Sequence, residues 1–130
     1  MRTLLASVCA ALMLFAVPAT AAQTATQFYM EYNDAWNKSK SIDALLPYLA
    51  KDSRAEIEAT PKDKRAMMFD MMKQMGAKSN DKVVKETKTS DGYTLDITAV
   101  TADKKQPIKG VVTIVMEGGA MKVRKETWTG

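Results

Sequence analysis

The sequence predicts an α+β fold, with N-terminal helices packed on one face of a curved four-stranded antiparallel sheet. Two observations lead there. Up to about residue 80 the apolar residues recur at helical spacing, and beyond it they alternate. Asp91-Gly92 and Gly118-Gly119 then fall between alternating stretches, where hairpins turn. With 130 residues, the chain suffices for one domain and not two.

The chain opens on an address. Arg2 supplies a positive start, residues 4–17 are an apolar run broken only by Ser7, and Pro18 ends it. Ala19-Thr20-Ala21 then offers the small residues that signal peptidase accepts. Residues 1–21 are read as a signal peptide, with cleavage after Ala22 as the alternative, and residues 22–130 as a single α+β domain. The apolar run is shorter than the ~20 residues of a bilayer span, so no stable membrane anchor is expected. Cys9, the only cysteine, lies inside the run with Val8 before it. That is not the setting of a lipid-attachment cysteine, and Cys9 leaves with the peptide.

The first helix of the mature chain is expected over residues 24–39. At 100° per residue, Phe28, Tyr32, Ala35 and Trp36 share one arc with Tyr29 at its edge, and Glu31, Asp34 and Lys38 lie opposite. A second helix, over residues 41–50, is capped by Ser41 and carries Ile42, Leu45, Leu46 and Leu49 inward. Pro47 inside it predicts a kink or a split. Residues 51–59 read as a short helix or a turn. The third helix has Thr60 as N-cap, Pro61 at its first position and Gly76 as its stop. Setting Met67 at zero places Met68, Met71, Met72 and Met75 at about 100°, 40°, 140° and 80°. All five share one face, which is expected to pack against the core, with Asp70, Lys73 and Gln74 off it.

Strands are expected over residues 81–89, 93–101, 108–117 and 120–128. The first has only Val83 and Val84 as large apolar residues and suits an edge. In the second, Tyr93, Leu95, Ile97 and Ala99 face one way and Asp96 the other. In the third, Ile108, Val112, Ile114 and Met116 face inward. Val111 and Val115 make its other side apolar as well, enough to pair with a second copy. In the fourth, Met121 and Val123 face inward, and Lys125 shares their parity where the strand leaves the core.

Composition closes several chemistries. The chain has no His and one Cys. That excludes a Ser-His-Asp triad, a Cys-His pair, His- or Cys-ligated zinc and an intrachain disulfide. Net charge is +4, falling to +3 once Arg2 is removed, with the signs interleaved; nucleic acid would call for a clustered basic stripe. The methionine face raises Cu(I), since thioethers are soft ligands, but its spacing is equally that of a core-facing helix filled with an adaptable side chain. No metal site and no cofactor is expected. Glu31, Asp34, Asp70 and Asp96 all fall outside the predicted interior, so no general base is expected there and no catalytic residue is assigned. The candidate pocket residues are Tyr32, Trp36, Met68, Met72 and Tyr93.

The order of these pieces resembles the nuclear-transport-factor-two-like superfamily, the cystatin-like cone. The resemblance rests on the helix from Phe28-Tyr29 to Trp36, on Ser41-Ile42-Asp43-Ala44-Leu45-Leu46, and on the hairpin from Gly110-Val111-Val112 through Gly118-Gly119 into Met121-Lys122-Val123. Met121 stands where a Trp is common. The resemblance covers nearly all of the mature chain through weak, mostly hydrophobic patterning, and is nearest to small exported members with no assigned activity. It implies that residues 22–130 are a single cone-like α+β domain, a curved sheet around a long helix with an apolar pocket at the wide end. Some members are isomerases, epoxide hydrolases or dehydratases, and many only bind a ligand or partner, so fold alone does not choose.

The expectation is an exported, non-enzymatic binding protein of the bacterial-envelope type, in the periplasm or outside the cell. It would hold a hydrophobic small molecule or a protein partner, and no nucleic acid. The alternatives are an isomerase- or dehydratase-like enzyme and a methionine-rich Cu(I)-binding protein.

Overall fold

The computed structural model describes residues 23–130; the signal peptide expected over residues 1–21, Cys9 included, lies outside the described residues. Four helical segments precede four strands: α1 (Ala25–Lys38), a 3-10 helix (Ile42–Tyr48), α2 (Lys51–Ala59), α3 (Lys62–Met75), β1 (Lys78–Lys88), β2 (Gly92–Thr101), β3 (Pro107–Glu117) and β4 (Ala120–Thr129). The strands form an antiparallel meander in the order β1-β2-β3-β4. The sheet is curved and unclosed, and the fold is α+β. Among the described residues no helix is long and apolar enough to cross a membrane.

Local chemistry sets the helix ends. Thr24 and Gln27 form a capping box, with the Thr24 hydroxyl accepting from the Gln27 N–H at 3.0 Å and the Gln27 side chain accepting from the Thr24 N–H at 2.9 Å. Glu86 of β1 reaches the same end and accepts from the N–H and hydroxyl of Thr26 at 2.9 and 2.8 Å. The positive end of the helix dipole favours a carboxylate there. Ser41 caps the next segment through a 3.2 Å bond from the Asp43 N–H. With Pro47 inside it, that segment is a 3-10 helix ending at Tyr48, and residues 51–59 form a full α-helix. Thr60 is not the cap of α3. Pro61 holds that position without a side-chain bond, and the Thr60 hydroxyl donates back to the Glu56 carbonyl at 3.1 Å.

The core lies between α1, the 3-10 helix and the inner face of the sheet. Tyr29, Leu45, Leu95, Ile97, Val112 and Ile114 are fully buried in it. On β3, Val115 is buried and Val111 exposed, and Met116, expected inward, is exposed where the hairpin end runs past the core cluster.

The methionine face of α3 is a further correction. The side of α3 that meets the fold is Arg65, Phe69 and Lys73, spaced i, i+4, i+8. Phe69 is 3% exposed and sits edge-on to Trp36, ring centroids 5.4 Å apart at 72°. The Lys73 ammonium donates to the Trp36 carbonyl and lies 5.1 Å from that ring's centroid. Met67, Met71 and Met75 are 66%, 54% and 81% exposed, and Met68 and Met72 are exposed as well. A helical wheel counts apolar residues, whereas a packed interior selects shape. One rigid ring beside the Trp36 indole, flanked by a lysine stem, displaces five flexible thioethers.

The strands also break their alternation. Pairing of β1 with β2 shifts between Ser79 and Lys82 and again between Val83 and Lys85. Asn80, with φ of 57°, lies in the first irregularity, a backbone conformation Asn tolerates better than most residues. Between β3 and β4 the register runs Ile114 to Val123 and then Thr113 to Lys125, leaving Arg124 extra. Such a bulge moves every later side chain to the opposite face. Lys125, expected inward, therefore points out opposite Thr113, and Glu126 turns inward opposite Val112.

Candidate functional site

A cleft of about 600 Å³ opens between α1, α3 and the edge of the sheet. Met68, Met71, Met72 and Met75 of α3 form one wall; Tyr32, Asn33 and Trp36 of α1 form another; Lys78, Ile108, Glu126 and Trp128 come from the strands. The sequence builds this floor by two local devices. The β4 bulge brings Glu126 and Trp128 inside. Gly110, the partner of Trp128 across the β3–β4 pair, leaves room for the indole. A Cβ there would stand 2.7 Å from the ring, too close for any real contact.

Two tyrosine–carboxylate pairs run from the cleft into the core. The Tyr32 hydroxyl donates to Glu126 Oε2 at 2.7 Å, and the Trp128 indole N–H donates to Glu126 Oε1 at 3.1 Å. Behind them the Tyr29 hydroxyl donates to Asp81 Oδ2 at 2.7 Å. The Lys78 ammonium donates to that same carboxylate oxygen and, at 2.9 Å, to Asn33 Oδ1. It also lies 4.7 Å from the Trp128 ring centroid. The Lys78 and Asp81 side chains are 10% and 3% exposed, so this is a buried ion pair whose remaining positions are filled by Tyr29 and Asn33. The expected interior free of ionisable groups is thus corrected: Asp81 and Lys78 reach it, and Glu126 faces the cleft beside it.

Burial first, and then the Asp81 carboxylate that accepts its proton, holds the Tyr29 phenol far above its usual range. Burial followed by the charge of Glu126 does the same to Tyr32. Both phenols keep their protons in the fold at pH values where an unfolded tyrosine, with its ordinary value of 10.0, loses its own. Stability is therefore unaffected by these groups below that value and falls as pH rises through it, because only the unfolded chain releases the protons. Each tyrosine costs about 1.4 kcal/mol per pH unit there. Denaturant midpoints should decline steeply above pH 10, and Tyr29→Phe should flatten that decline. An unchanged slope would show that Tyr29 ionises freely in the fold.

Of the residues singled out from sequence, Tyr32, Trp36, Met68 and Met72 line the cleft and Tyr93 does not. Tyr93 pairs with Lys88 and Ile114 at the β1–β2 hairpin end, packed against the core. Asn33, Lys78, Asp81, Glu126 and Trp128 were missed. Asp81 carried a signal, since it shares the parity of Val83. β4 carried another: Val123 and Trp128 are both bulky, and no unbroken alternation puts both inside, which is the mark of a bulge between them.

No family model, curated protein or solved structure matches this chain.

Proposed function

We propose that this protein is an exported, non-enzymatic binding protein of the bacterial-envelope type, which holds an apolar small molecule in the cleft between α1, α3 and the sheet. The cleft carries the reading. Its volume falls within the about 300–1,000 Å³ of small-molecule sites, and one wall is a row of exposed methionines. Thioether chains are polarisable and unbranched and mould themselves to varied apolar shapes. Large apolar side chains left in solvent mark a surface that something covers. The cone resemblance is part of the proposal: helices preceding a curved, unclosed meander support it, and the residues 1–21 reading supports export.

The test is a titration with N-phenyl-1-naphthylamine, a neutral apolar fluorophore. Saturable enhancement at one equivalent is expected. Met68→Glu/Met72→Glu should weaken it about tenfold or more with little loss of thermal stability, because both side chains are exposed. Absence of saturable binding would refute the reading.

One observation favours a second reading, an isomerase- or dehydratase-like enzyme. A carboxylate and a phenol, Glu126 and Tyr32, reach the same cleft, and cone-superfamily isomerases are built on an acid base with a tyrosine-centred oxyanion hole. Glu126 would remove a proton next to a substrate carbonyl. Deuterium exchange into a bulky cyclic ketone, lost in Glu126→Gln, would support it.

A further inference from the structure

We propose that the molecule held in this cleft is a cationic amphiphile, an apolar body ending in a protonated amine that docks on Glu126. This rests on the cleft being a ligand site and specifies what the ligand is. Among the described residues, only Lys78 and Glu126 of the charged side chains line the cleft. Lys78 is committed to Asp81 and Asn33, and the pair it makes with Asp81 is neutral. Glu126 has no cationic partner among the described residues. Lys78, Asp81 and Glu126 together carry one negative charge, however the lysine is shared between the two acids.

The geometry of Glu126 suits an amine. Each of its oxygens accepts one bond from a neutral donor, from Tyr32 on one side and Trp128 on the other. A carboxylate oxygen has about two acceptor positions, so each retains one. The two donors fix the carboxylate without neutralising it, and the residue remains exposed to the cleft. An ammonium arriving there gains charge-assisted hydrogen bonds and the electron-rich faces of nearby aromatic rings, while its apolar body lies along Met68 and Met72. An anionic amphiphile would meet the uncompensated charge of Glu126 instead.

Decylamine, decyl maltoside and decyl sulfate share one tail and differ in head charge. Both tryptophans of the chain, Trp36 and Trp128, line the cleft, so intrinsic fluorescence reports this site and not other surfaces. Titrations below micelle formation should show decylamine binding about tenfold or more tighter than decyl sulfate, with the maltoside between them. Glu126→Gln should abolish the preference of decylamine over decyl sulfate. Equal affinities in the unaltered protein, or a preference that survives Glu126→Gln, would overturn the assignment of the amine while keeping the cleft as a binding site. Failure of all three to bind would overturn both.

Discussion

Asp81→Ala should destabilise the protein by about 3 kcal/mol or more, among the largest effects of any single truncation. The carboxylate removed is the acceptor for both the Lys78 ammonium and the Tyr29 hydroxyl, and both donors are buried. What remains is a buried cation without a charged partner, with only the neutral Asn33 carbonyl oxygen and, at 3.5 Å, the Tyr29 hydroxyl left to accept from it. An isolated buried charge loses its hydration without compensation, which is why breaking one side of such a pair costs more than the pair contributes when intact. A companion variant separates this from general disruption. Lys78→Met with Asp81→Asn removes both charges together, retains an acceptor for Tyr29, and should recover most of the loss. Urea denaturation measures both. A loss under 1 kcal/mol in Asp81→Ala would mean that Lys78 finds water.

Gly92→Ala should be nearly as damaging, at about 3 kcal/mol, the upper part of the range for overpacking. A Cβ at this position would stand 1.9 Å from the Ile114 carbonyl oxygen and 2.8 Å from the Val115 Cα. Both are backbone atoms of a strand paired on each side, so neither can turn aside as a side chain can. Gly118 is the control. It has a φ of 58° and open space around it, so Gly118→Ala should cost only about 1 kcal/mol of left-handed strain. Equal midpoints for the two variants would show that β3 yields at Ile114.

Gly92 shows how far the sequence carried. Asp91-Gly92 marks the hairpin correctly, but the requirement for glycine comes from the approach of β3, a long-range contact no local pattern announces. The helix-to-strand switch, the Ser41 cap and the meander were legible because each follows from neighbours in the chain. Four of the cleft residues were legible because the aromatic residues of α1 and the methionines of α3 stand at helical spacing. The inner side of α3 was not, since Phe69 prevails over five methionines only once Trp36 is beside it. Glu126 was hidden because parity counted forward from Met121 and Val123 fails at Arg124, and only the partner strand shows where the extra residue is absorbed.

That extra residue has a genetic consequence. β4 contains one amino acid more than its partner needs, so loss of a single codon at 124 or 125 would straighten the strand and still leave an acid opposite Val112 and an indole opposite Gly110. Loss of codon 126 would straighten the strand too, but would bring Lys125 opposite Val112 and erase the acid from the cavity. Short deletions in this hairpin should therefore divide sharply by position, harmless to the ligand site on one side of Lys125 and fatal to it on the other.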